Sequence, residues 1–446
     1  MIGRCCALLL VPGLLPGRAV RVQMGGPSQA APSTVAGTRM LDEAEMGGLR
    51  PLFVDAFYDH AKPVAHVILN MKSFVEPTVA AAREWGPGTR WACQWADPGS
   101  SRLSRSTAFV AGYTNADALT GAVSRAAHPV NASAEASFTD QNHHWALVIS
   151  CPTSSLLANS STAVLNLLGQ RDEQVVYSRA AIPVSRSRYV QSGVDFALCT
   201  MVQRGSLTGA EYLQPWAQYN LALGFSQLLV YVEEADSAWV EKALHKDIKN
   251  GQVTIVPFYF GNVSEQRVFL MQGAMESHCL YQARGMAKWM AHADIDEYFD
   301  FLRPGVNLSN YLFPDTDSKD VALVVRSKFW GTIPDSSPVA SRFPCNINGV
   351  SMYTHDVGKR SKVIMRPEYI DGLFPHFVVK RSGYTELHPD PSVELRLNHF
   401  KSCDARGQGC YGTVQHTWKS EHKKLLDDGN DWKDRCEALL GATKVH

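Results

Sequence analysis

The chain has 446 residues, room for two folded units and a leader, and its 45% hydrophobic and 19% charged residues are the proportions of a globular protein. Lys plus Arg equal Asp plus Glu at 43 each, with no long basic run to neutralise a phosphate backbone, which argues against nucleic-acid binding. Beyond the leader, no apolar stretch reaches the roughly 20 residues needed to span a bilayer, so membrane association is expected at most through the N-terminus.

Residues 1–22 carry Arg4, an apolar run from Cys5 to Leu15 interrupted by Pro12 and Gly13, and then Arg18 and Arg21. The run is short and broken, which reads as a secretory signal or short anchor, with an organelle transit peptide as second choice. Residues 23–49 are rich in Gly, Ala, Ser and Pro without apolar periodicity and read as a stem. Sequons at Asn131, Asn159, Asn262 and Asn307 agree with passage through a secretory lumen. The expected location is the Golgi lumen or membrane, with secretion as the alternative. Eight cysteines follow the leader: Cys93, Cys151, Cys199, Cys279, Cys345, Cys403, Cys410 and Cys436. Their number suits disulfides and their spacing suits no zinc motif. For Cys199 and Cys279, in apolar segments, buried free thiols are nearly as good a reading.

Residues 50–190 alternate short apolar runs, such as Val64 to Leu69 and Trp145 to Ser150, with Gly, Pro, Asn and Asp. That pattern predicts a smaller β-rich accessory domain, a sandwich. From 191 to 446 strands and helices alternate: strand Phe196 to Val202, helix Ala210 to Leu223, strand Leu228 to Val232, helix Ala238 to Lys249, strand Val253 to Tyr259 and a long helix Val268 to Ala287. The expected fold class is α/β, a parallel sheet with helices on both faces, and ligands of such sheets bind at the carboxyl ends of strands.

After the apolar Trp289-Met290-Ala291 comes the acidic triplet Asp294-Ile295-Asp296. At the end of a strand, period-two geometry would put both carboxylates on one face. Two hard oxygen donors suit Mg2+ or Mn2+, which keep open positions for a diphosphate. A calcium loop counted from Asp294 needs Gly sixth and Glu twelfth, where the chain has Phe299 and Gly305, so that reading fails. A phosphatase with an aspartyl nucleophile remains an enzymatic rival, and a solvated strand end is the plain alternative.

The surrounding blocks resemble glycosyltransferase family 92. They are Phe53 to Asp59; Trp145 to Pro152; Tyr212 to Gly224 with Trp216, Tyr219 and Asn220; Leu229 to Val232; Gln272 to Arg284; Lys288-Trp289 with Asp294 to Glu297; Lys362 to Pro367; His376; and Leu397 to Phe400. Pro215 stands where the family commonly has Glu, and Arg204-Gly205 replaces an acidic pair.

The resemblance implies a GT-A type, Rossmann-like nucleotide-sugar domain, a UDP-sugar donor, usually UDP-galactose, a glycan acceptor, Mn2+ (or Mg2+) and inversion at the anomeric carbon. Carried onto this chain, Asp294, Asp296 and His399 would hold the metal, with the aspartates also meeting ribose or diphosphate. Arg284, Lys362, Arg366 and Glu233 are second-rank candidates for the donor. Glu297, by outward alternation, would support the motif. For the general base, Asp335 is preferred to Asp371 because Phe329-Trp330-Gly331 precedes it. A non-enzymatic alternative is a carbohydrate-binding protein with a degenerate transferase domain, using Trp85, Trp91 and Trp95 as sugar platforms.

Overall fold

A computed structural model describes residues 51–58, 64–71, 90–96, 103–107, 109–111, 146–152, 163–171, 174–186, 189–202, 209–258, 272–312, 318–332, 345, 350–352, 361–401 and 431–441. The leader, the stem, Trp85, Asp335, Cys403, Cys410 and the sequons at Asn131, Asn159 and Asn262 lie outside the described residues. Among the described residues no helix is long and apolar enough to cross a membrane.

The N-terminal part has eight strands: β1 (Pro51–Tyr58), β2 (Val64–Met71), β3 (Arg90–Ala96), β4 (Leu103–Thr107), β5 (Phe109–Ala111), β6 (Ala146–Pro152), β7 (Ala163–Arg171) and β8 (Gln174–Arg186). They pair in the order β4-β3-β7-β8-β1-β2-β6-β5. Only two residue pairs, Phe57 with Ser185 and Tyr58 with Arg186, join β1 to β8, so the sheet has two halves. Inward-facing residues of both halves share one core, Tyr58, Val67, Leu69, Trp91, Trp95, Ile149, Leu165 and Ile182 among them, and the Cys93–Cys151 disulfide links β3 to β6. Trp91 and Trp95 are 3% and 2% exposed, with Trp95 stacked on Tyr58. The expectation that they form a sugar platform is therefore corrected. Their large apolar rings fill the core of this domain, where burial of a tryptophan is worth most.

The second part begins with β9 (Val194–Met201), α1 (Gly209–Leu223), β10 (Gln227–Val232), α2 (Glu234–Ala243), α3 (His245–Lys249) and β11 (Val253–Pro257). It continues with α4 (Gln272–Ala283), β12 (Ala287–His292), β13 (Glu297–Phe301), α5 (Leu308–Leu312), β14 (Asp320–Thr332), β15 (Val350–Met352) and β16 (Ser361–Met365). The last elements are β17 (Ile370–Leu373), β18 (Val378–Lys380), β19 (Thr385–Leu387), β20 (Leu395–Lys401) and helix α6 at 431–441. The large sheet runs β11-β10-β9-β12-β16-β14-β20-β13. Strands β11, β10, β9 and β12 are mutually parallel, β16 joins antiparallel to β12 and β14, and β14 runs parallel to β19 and β20. The parallel sheet expected from the alternation is thus a mixed one, because β16, beyond Asp294, runs antiparallel to both β12 and β14.

Strand alternation sorts the core onto two faces. Cys199, Met201, Leu229 and Tyr231 face a cluster with α4 and with Phe57, Ile68 and Val148 of the N-terminal sheet. Phe196, Leu198, Leu228, Val230 and Val232 face a second cluster with α1, Val240 of α2 and Trp432 of α6. Cys199–Cys279 ties β9 to α4, and Cys345–Cys436 ties α6 to the chain before β15, so Cys199 and Cys279 are paired rather than free thiols.

The helix expected over Val268 to Ala287 ends at Ala283, since Gly285 adopts a positive φ of 70° suited to a helix C-terminus. Leu244, with φ −108°, divides the helix expected over Ala238 to Lys249 into α2 and α3. At the remaining sequon, Asn307 and Asn310 each accept the other's backbone N–H ahead of and within α5, so Asn307 also serves as a helix cap.

Among the described residues, edge strand β13 has β20 on one side only, and its outward carbonyls need donors. Helix α1 supplies two. The Trp216 indole donates to the Glu297 carbonyl at 3.2 Å and the Tyr219 hydroxyl to that of Phe299 at 2.6 Å, while Asn220 donates to the Trp216 carbonyl. On the same strand the buried Asp300 accepts from Arg396, Asn398 and both Nε and Nη2 of Arg435, which pins α6.

Candidate active site

Strand β12 delivers the chain to the C-terminal edge of the parallel strands, where the backbone turns. The Glu297 N–H donates to the Asp294 carbonyl at 3.0 Å, and the Asp294 N–H donates to the Glu297 carboxylate at 2.9 Å. Side chain and backbone close this turn from both ends, much as a capping box closes a helix start. The acidic triplet therefore occupies a turn rather than a strand end, and its two carboxylates go to different partners instead of lying on one strand face. Glu297 is 2% exposed and points inward, so the expected outward alternation is also corrected; the turn resets the strand phase before β13.

Asp296 meets His399. Register pairs His399 of β20 with Glu297 of β13, and the Phe400 N–H donates to the Asp296 carbonyl at 2.8 Å, which fixes the approach. His399 Nε2 lies 3.3 Å from Asp296 Oδ2, and His399 Nδ1 lies 3.3 Å from Glu297 Oε1. Burial alone would lower the His399 pKa, but the carboxylates of Asp296 and Glu297 outweigh it and hold the pKa above the ordinary 6.5.

Asp294 meets two nitrogens. Lys362 Nζ from β16 lies 3.0 Å from Asp294 Oδ2, and His292 Nε2 lies 3.6 Å from Asp294 Oδ1. The same ammonium is 3.3 Å from Glu297 Oε2. Lys362 is 1% exposed, so it acts as an internal cation for these acids rather than as an open phosphate contact, the role expected from sequence. Burial would lower its pKa, yet Asp294, Glu297 and Glu276 raise it above the usual lysine range. Burial likewise works against Asp294 ionisation, but Lys362 and His292 hold that carboxyl well below the ordinary range. Burial raises the Glu297 pKa, Lys362 opposes it and Asp294 adds to it.

The other candidates lie elsewhere. Arg284, just past α4, is buried; its guanidinium donates to the carbonyls of Pro367 and Ile370 and lies 4.0 Å over the Tyr281 ring. Arg366 lies 4.6 Å over the Tyr369 ring. Both brace the 366–371 segment. Glu233 is buried at the carboxyl end of β10, where its backbone carbonyl accepts from Asp236 N–H at the start of α2. Asp371 accepts from Arg381 at 3.3 Å. Sequence reasoning missed His292 and Glu276, and the one available signal was the His at two residues before Asp294.

Among the described residues no group of three or more His, Cys, Asp and Glu side chains is arranged to hold an ion. The donors present nonetheless fit Mn2+ or Mg2+. Cis ligands of an octahedral ion with bonds of ~2.1 Å sit about 3 Å apart, close to the Asp296–His399 spacing. A carboxylate on the far nitrogen of the imidazole, the place held by Glu297, is the usual outer partner of a metal-ligating histidine. Mg2+-like ions are commonly held by one or two protein groups plus substrate phosphates, so two protein donors suffice.

The profile described as Glycosyltransferase family 92 matches residues 194–434, more than half of the chain. The chain belongs to glycosyltransferase family 92. A family 92 glycosyltransferase from Ricinus communis is 26% identical over 220 residues, covering 46% of this chain and 35% of that protein, and a second match of the same description is 22% identical over 219 residues. The matched region thus spans about a third of the curated relative's length. Among solved structures, HddC from Yersinia pseudotuberculosis is 12% identical, covering 55% of this chain and 99% of its own, with a TM-score of 0.25. The bifunctional glycosyltransferase WbbM is 7% identical, covering 44% and 36%, with a TM-score of 0.21. Likenesses this slight carry no weight for the fold.

Proposed function

We propose that this protein is an inverting glycosyltransferase that uses Mn2+ or Mg2+ to move a sugar, galactose, from a UDP-sugar to a glycan acceptor, on a GT-A type sheet behind a β-sandwich domain. Family membership supports the reaction class. The observation that carries the metal is the Asp296–His399 pair, with Glu297 3.3 Å from the far imidazole nitrogen.

In this reading Asp296 and His399 hold the ion and Asp294, fixed by Lys362, faces the donor's ribose or diphosphate. Bound there, a divalent cation acts as a Lewis acid that neutralises the departing diphosphate. Glu297, beside Nδ1, would orient the His399 ring so that Nε2 could serve as the ligand. Asp335 takes the proton from the acceptor hydroxyl. In sequence it follows β14, whose Phe329 is paired in register with His399. Its rival Asp371 is engaged by Arg381.

A secretory lumen, Golgi in this reading, suits the three disulfides, the leader and the sequons.

The test is a thermal-shift screen of UDP-sugars with and without Mn2+. Ligand at 100 times its dissociation constant adds ~2.7 kcal/mol to stability, a clear rise in midpoint. UDP-galactose is expected to stabilise the protein only when Mn2+ is present. Equal shifts with and without the ion, or none with any UDP-sugar, would remove the proposal.

A further inference from the structure

The triplet's two aspartates are served by matching relays, of which only one belongs to the metal pair. In that one Glu297 meets His399 Nδ1 and Nε2 faces Asp296. In the other, Glu276 Oε1 of α4 lies 2.9 Å from His292 Nδ1, and His292 Nε2 faces Asp294 Oδ1 at 3.6 Å. Glu276 is 0% exposed in a helix whose described neighbours are almost all buried, an expensive place for a carboxylate. His292 Nε2 is buried and has no hydrogen-bond partner among the described residues. A carboxylate and an imidazole sunk beneath the acidic turn, with the ring's open nitrogen aimed into it, answer to a need at Asp294 rather than to packing.

We propose that Glu276 and His292 are positioning residues for Asp294. With Nδ1 set 2.9 Å from Glu276 Oε1, the ring is held in one orientation, so Nε2 flanks one oxygen of Asp294 while Lys362 holds the other. Lys362 supplies a built-in cation on the Asp294 side, and the exchangeable ion belongs to the Asp296 side. Helix α4, tied to β9 by Cys199–Cys279, sets the height of Glu276 beneath the turn.

This rests on the donor reading given under the proposed function, and the test separates the two. Full-length wild-type protein and the variants Glu276→Leu, Glu276→Gln, His292→Phe and Glu276→Leu/His292→Phe are titrated by calorimetry, first with Mn2+ alone and then with UDP at saturating Mn2+. Glu276→Leu and His292→Phe should each weaken UDP binding roughly tenfold, the scale of a lost outer partner. The double variant should lose no more than the worse single one, because both act through one ring. Mn2+ binding should stay within about twofold, and Glu276→Gln, which keeps an acceptor for Nδ1–H, should stay near wild type. UDP affinity unchanged in His292→Phe, or single losses that multiply in the double variant, would overturn the positioning role. Wild-type protein that fails to bind UDP with Mn2+ would instead overturn the donor reading itself. Glu276→Gln and His292→Phe keep the question decidable if Glu276→Leu does not fold.

Discussion

His278 and His399 are both buried, and each sets one ring nitrogen against a carboxylate, Asp55 at 2.9 Å for His278 and Glu297 at 3.3 Å for His399. They differ at the other nitrogen. His278 Nδ1 lies 2.8 Å from the hydroxyl of Tyr231, which is wholly buried in the sheet, and the rings of Phe57, Tyr189 and Phe258 surround it. His399 Nε2 faces Asp296, whose side chain is 36% exposed. Beyond Nδ1 the first network ends inside the protein at Tyr231, and through Asp55 it joins β1 of the N-terminal sheet to α4 and β10. The second ends at solvent, where a ligand can complete it. A buried Asp–His or Glu–His pair is therefore not a functional signature in itself; what matters is where its far end points.

Breaking the open network should have the largest effect on activity. Asp296→Ala is expected to lower glycosyl transfer by about a thousandfold, several kcal/mol of lost charge stabilisation, with little change in unfolding midpoint. Lys362→Met tests the internal cation. Removing one partner of a buried charge cluster costs about 3–5 kcal/mol. Denaturant unfolding should register that loss, and Mn2+ should restore more stability to this variant than to wild type because Asp294 and Glu297 are left uncompensated. Breaking the closed network should do the reverse. Tyr231→Phe leaves the His278 Nδ1 unsatisfied at a cost of about 1–3 kcal/mol, while calorimetry should find UDP–Mn2+ binding unchanged.

A smaller effect follows from His399 in the metal-free protein. Its folded pKa is raised above 6.5, so its contribution to stability is complete below pH 6.5 and is lost as pH rises through the folded pKa. The midpoint of wild type relative to His399→Gln should accordingly decline as pH rises above 6.5 without metal. Added Mn2+ should reverse the trend, since the ion takes the place of the proton.

Much of this was legible in the sequence, but not all in the right role. The α/β alternation from Phe196 to Val253 is strong because β9 and β10 are buried on both faces and read as continuous apolar runs. Asp294, Asp296, Lys362 and His399, spread over about a hundred residues, do converge in space. Motif order carried that inference, since no local spacing joins β12, β16 and β20. Other motif residues turned out to be braces. Trp216 and Tyr219 cap the edge of β13, Arg284 holds the 366–371 segment, and Asp55 reaches His278. Neither Glu276 nor the inward turn of Glu297 was visible, because helix periodicity says which face is buried and not what a buried carboxylate meets. The mixed sheet escaped notice for a similar reason: strand direction is a long-range property that apolar runs do not encode.

The central claim is that the acidic turn and His399 form a divalent-cation site for a nucleotide-sugar donor. Its most direct test is UDP release from UDP-galactose by full-length protein with Mn2+, after chelation, and in the Asp294→Ala/Asp296→Ala variant. Mn2+-dependent release, abolished by chelation and absent from a folded variant, is the predicted result. Release that survives both chelation and the double substitution would contradict it.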